Sequence, residues 1–83
     1  MIKPNVSDCL HYHARSDDYL IFDKDNDKPF AAIVENVRDE GKTVDITVFN
    51  CGRTYYRAGV ILIQPDETCP ETSHCMWPKD LNS

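Results

Sequence analysis

Between residues 43 and 49 the chain alternates without a break: Val44, Ile46 and Val48 fall on one side, Asp45 and Thr47 on the other. A period of two marks a strand with one face in a core. Residues 8–13 repeat the pattern, with Leu10 and Tyr12 set against Cys9, His11 and His13. Residues 30–37 form an apolar run rich in small and β-branched side chains, and shorter runs follow at 54–57 and 60–64. Such runs, bounded by polar and glycine-containing segments, predict five strands.

Turn chemistry separates them. Asp39-Glu40-Gly41-Lys42 links the second and third runs, and Asn50-Cys51-Gly52-Arg53 links the third and fourth. In each, a glycine is available for positive φ. Gly59 lies between the fourth and fifth runs and predicts a tight bend or bulge. No segment carries a useful 3.6-residue stripe, so the fold class is all-β. Five short strands in meander order predict a small five-stranded SH3-like barrel, whose closure removes exposed edges.

Two segments fall outside this pattern. Residues 14–29 form a polar insertion, although Tyr19-Leu20-Ile21-Phe22 is apolar enough to dock or to form a short strand. Residues 65–83, with Pro65, Pro70 and Pro78, predict an irregular C-terminal tail wrapped over the barrel. The whole of 1–83 reads as one domain. At 83 residues it buries only about 60–65% of its unfolded surface, so the core is thin.

Charge narrows the partners. The net charge is −5, from 14 acidic and 9 basic residues, and the basic ones are scattered. Affinity for nucleic acid comes largely from clustered Lys and Arg, so no nucleic-acid partner is expected. The apolar run at 60–63 is too short to cross a bilayer, and no apolar stretch follows Lys3 as in a signal peptide. These features predict a cytoplasmic protein without a membrane partner, and make Asn5-Val6-Ser7 a chance match to a glycosylation site. Cys9, Cys51, Cys69 and Cys75 are then expected as thiols.

Several groups could carry chemistry. Asp23-Lys24-Asp25-Asn26-Asp27 has the alternating acids of a calcium loop, but Lys28 stands where the sharp turn needs glycine and Val34 where a bidentate glutamate is needed. Cys9, His11 and His13 share a strand face, with alternate residues about 6.6–7 Å apart. Cys69, His74 and Cys75 could add soft ligands for zinc, although neither segment has the paired knuckle spacing of a structural zinc site. The plainer reading makes the cysteines small hydrophobes and the histidines half-exposed strand residues. No nucleophile elbow, phosphate loop or carboxylate pair is present. No cofactor and no catalytic residues are assigned, and the protein is expected to be non-enzymatic.

Binding is the better-supported class. Tyr55 and Tyr56 are adjacent on a strand and must face opposite ways. Trp77, beside Pro78, reads as a plug for the barrel end or a partner anchor. Residues 60–63 are apolar on both faces, so Ile61 and Ile63 need cover from the tail, a second copy or a partner.

The motifs His11-Tyr12, Pro29-Phe30-Ala31-Ala32-Ile33-Val34-Glu35-Asn36-Val37, Val44-Asp45-Ile46-Thr47-Val48-Phe49-Asn50 and Met76-Trp77-Pro78 together resemble a group of small tailed-phage and prophage proteins. Those chains have a His-Tyr near the start, an Ala-Ala-Ile-Val strand, a Val-Asn-Leu-x-Val-Phe strand and a closing Trp-His-Trp-Pro. The resemblance covers most of the chain in order. It departs at the end, where Cys75 and Met76 replace the usual Trp and His, and the four cysteines are not a feature of the group. It implies a phage product with a β-barrel core acting in the host cytoplasm, and it carries over no catalytic residue.

Three functional expectations follow. The first is a protein-binding accessory virion component, a decoration or connector subunit packed on a larger lattice and capable of homo-oligomerisation. The second is a host-directed inhibitor that presents Asp17, Asp18, Asp23, Asp25 and Asp27 to a basic surface. The third is a small zinc-stabilised domain.

Overall fold

The alternation at residues 43–49 builds the middle strand of a closed barrel. The computed structural model describes residues 2–22 and 28–78. Its strands are β1 (Cys9–His13), β2 (Phe30–Arg38), β3 (Thr43–Asn50), β4 (Arg53–Ile63) and β5 (His74–Met76), with a short 3-10 turn at Asp39–Gly41. The strands join in the order β1-β2-β3-β4-β5 and close on themselves, giving an all-β, SH3-like five-stranded barrel. Neighbours pair antiparallel except β4 and β5, which run parallel.

The core is the inward set of the alternation. Leu10, Tyr12, Ala32, Val34, Val44, Ile46, Val48, Leu62 and Cys75 are buried, with Val44, Ile46 and Val48 fully so. Each such Val, Leu or Ile stabilises the fold by about 1.5–3 kcal/mol. Tyr55, Val60 and Trp77 pack against this cluster from its margins.

Two expectations about the strands need correction. The runs at 54–57 and 60–64 are parts of one strand, β4. Gly59, at φ +64°, does not break the strand. It sits at a bulge where the register steps from Val44↔Val60 to Ile46↔Arg57, setting Ala58 and Gly59 against Asp45. A second irregularity lies between Val34 and Asn36 of β2, beside the same Asp45. Bulges bend a sheet sharply enough to close a small barrel.

Asp45 ties both bulges together. It accepts hydrogen bonds from Gly59 N at 2.8 Å, Arg38 Nε at 2.9 Å and Asn36 Nδ2 at 3.3 Å. The Gly59 amide, then Arg38 and Asn36, outweigh burial and hold its carboxyl below the usual range.

The second correction concerns the tail. It is not irregular throughout, because β5 comes from it and supplies the closing strand: Tyr12 pairs with Cys75, and Leu62 with Cys75 on the other side. The meander therefore covers four strands, and a parallel return completes the wall. In the insertion, Ile21 docks into the core while Tyr19 and Leu20 stay exposed. Ile21 N and Phe22 N both donate to Asp18 O, forming a turn and not a strand.

Candidate contact surface

Directly opposite residues in an antiparallel pair project to the same side of the sheet. Following the register across the barrel gives two outward rows. One runs Met76, His11, Ala31, Phe49, Thr54. The other runs Cys9, Ile33, Thr47, Tyr56. The larger members are apolar or aromatic, and Tyr56 and Phe49 are 56% and 40% exposed. Thr47 donates from its hydroxyl to Glu35 at the side of this patch. Large apolar groups gathered on an outer sheet face mark a contact surface.

A different arrangement fills the seam where the barrel closes. Tyr12 donates from its hydroxyl to Asp18 Oδ2 at 2.5 Å, and Arg57 donates from Nε to the same oxygen at 2.9 Å and from Nη2 to Oδ1 at 3.1 Å. Burial alone would raise the Asp18 carboxyl, but the bonds from Arg57 and Tyr12 hold it below its ordinary value. Burial, and then the Asp18 acceptor, push the Tyr12 hydroxyl well above the usual tyrosine range. Beside them Asp17 accepts from Ser73 N at 3.0 Å and Ser73 Oγ at 2.6 Å, while Arg15 N donates to Ser73 Oγ at 2.9 Å. A cleft of about 360 Å³ lies here, lined by Tyr12, Asp18, Arg57, Ile61 and Ser73 among others. Its ionic groups already have one another as partners.

The proposed contact residues thus separate. Tyr55 packs on the core, with the Arg57 guanidinium 5.4 Å from its ring centroid, and Tyr56 points out. Ile63 is buried beside its β5 partner Met76, whereas Ile61 remains 43% exposed. Ile61 borders both the seam cleft and a second cleft of about 420 Å³ formed with Lys42, Gln64 and Glu67. Trp77 packs against the core, with its indole nitrogen buried and lacking a hydrogen-bond partner among the described residues. Asp17 and Asp18 are engaged internally, and Asp23, Asp25 and Asp27 lie outside the described residues.

The metal candidates also separate. Cys9 is exposed, whereas Cys75 is wholly buried, its thiol pushed up to about 12 by burial and so protonated at neutral pH. His13 and His74 stack with ring centroids 5.1 Å apart. Among the described residues no three His, Cys, Asp or Glu side chains form a metal-holding group.

Phe49, Ala31 and Ile33 were not singled out from the sequence as contact residues. The signal for Phe49 was present: alternation from Val44, Ile46 and Val48 forces it outward. No protein-family model, curated protein or solved structure matches the chain.

Proposed function

We propose that this protein is a non-enzymatic protein-binding module whose contact face is the outer surface of β1 to β4, centred on Phe49 and Tyr56. The observation that carries this reading is the pair of cross-strand rows, which brings His11, Ala31, Phe49, Ile33 and Tyr56 onto one face. Aromatic side chains on a rigid sheet give large contact area at small entropic cost, as in interface hot spots. The partner is a protein surface with an apolar centre.

The setting of this activity, a tailed phage with the protein as an accessory decoration or connector subunit, rests on the resemblance of its four motifs. A thin barrel with an open apolar face suits a subunit that gains stability from neighbours on a lattice. Peptide mass spectrometry of purified particles against the infected-cell lysate tests it. Near-stoichiometric presence in the particle is expected. Detection in the lysate alone would end the virion reading.

A further inference from the structure

The strand that closes the barrel carries two soft donors, His74 and Met76, and a loop thiol meets one of them. Alternation along β5 sends Cys75 into the core, which leaves His74 and Met76 together on the other side. Across the β1–β5 ladder His11 stands opposite Met76, and His13 opposite His74. The loop before β5 then folds back so that the Cys69 thiol lies 3.6 Å from Met76 Sδ, donating to it.

A thiol is a weak donor and a thioether a weak acceptor, so this contact contributes little to folding. Its value lies in its chemistry. Two sulfurs at this separation can bind one ion between them.

A second observation lies two residues back on the same strand and the same side of it. His74 is fully buried, and its Nδ1 lies 2.8 Å from the carbonyl oxygen of Thr72. A carbonyl can only accept, so in the neutral ring Nδ1 carries the proton and Nε2 holds a bare lone pair. That Nε2 is buried without a hydrogen-bond partner. Buried polar atoms almost always find one, and an imidazole fixed through Nδ1–H to a backbone carbonyl is the usual outer support of a ligating Nε2.

We propose that Cys69 Sγ, Met76 Sδ and His74 Nε2 form a binding site for a soft monovalent metal ion, Cu(I). Thiolate and thioether ligands select this ion, whereas thioether sulfur is not a ligand that zinc, calcium or magnesium sites use. On binding, the Cys69 thiol releases its proton to solvent and the metal–sulfur bond replaces the S–H bond. No electron is transferred. The site borders the contact face through the Met76–His11 pair.

The test is an anaerobic titration of the purified full chain, supplied with Cu(I) as its acetonitrile complex, against a chromogenic Cu(I) chelator. One equivalent should be withheld from the chelator, and added Zn²⁺ should not displace it. Cys69→Ser and Met76→Leu should each weaken retention at least about tenfold (about 1.4 kcal/mol). Replacing the exposed Cys9 or Cys51 by serine should change nothing. In ¹⁵N spectra the His74 Nε2 resonance should move on loading. Cys69 is exposed, so its variant keeps the test valid should Met76→Leu fold poorly. Failure to retain Cu(I), retention unchanged in Cys69→Ser, or an unmoved His74 Nε2 would each overturn the assignment.

Discussion

The closing seam and the outer face put their side chains to opposite uses. At the seam, barrel closure depends on a short strand, with three residue pairs between β1 and β5 and two between β4 and β5, against seven each for β2–β3 and β3–β4. Side chains supply what the backbone lacks there: Tyr12, Asp18 and Arg57 bond to one another, and Asp17 binds Ser73. On the outer face the backbone pairing is longer and the large side chains have no such work. The difference teaches where to look for function in a small barrel. Polar groups that already hold one another are structural, and apolar groups displayed on a well-paired wall are free to meet a partner.

The largest effect should come from the seam. Asp18→Ala leaves the Arg57 guanidinium and the Tyr12 hydroxyl without their shared acceptor, with the paired side chains only 10% and 23% exposed for Asp18 and Arg57. Urea unfolding should show a loss of about 1–3 kcal/mol. An undiminished midpoint would mean that the seam does not hold the barrel shut.

Acid sharpens the same comparison. The folded Asp18 and Asp45 carboxyls both lie below their ordinary value of 3.8, so the unfolded chain binds protons more readily. Their stabilisation is complete above about 3.8 and is lost as pH falls through the folded values. The stability gap between wild type and Asp18→Ala should therefore narrow below pH 4, as read by urea melts at a series of pH values. A gap that stays constant into acid would break the assignment of Asp18 as a charged acceptor.

A smaller loss is expected at the β4 bulge. A Cβ at position 59 would meet nothing within 4 Å, but φ of +64° is the left-handed region. Gly59→Ala should cost about 1–2 kcal/mol from backbone strain alone, and Gly59→Asn less. Equal melting of the alanine variant and wild type would contradict a left-handed bulge.

The inward face of the barrel was legible because β1 and β3 alternate cleanly over enough residues to fix their register. The same alternation implies an outward Phe49, but it leaves open which of Tyr55 and Tyr56 faces out, and it cannot show that their rows join, since that depends on which strands pair. β5 was hidden for a physical reason. Three residues, His74-Cys75-Met76, are too few to display a period, and a fully buried histidine reads as polar. Asp45 was equally opaque. It looks like a solvent-facing strand residue, yet its donors Gly59, Arg38 and Asn36 come from two other strands and a bulge that local sequence does not announce.

The separation between structural seam and contact face is tested most directly by the double variant Phe49→Ser/Tyr56→Ser. Both side chains are exposed, so its unfolding free energy should stay within about 0.5 kcal/mol per site of wild type. Its occupancy on particles assembled without the native protein, quantified by peptide mass spectrometry, should fall at least about tenfold, as for loss of an aromatic hot spot. A folded double variant that occupies particles at the wild-type level would contradict the account, and the contact surface would then have to lie elsewhere on the barrel.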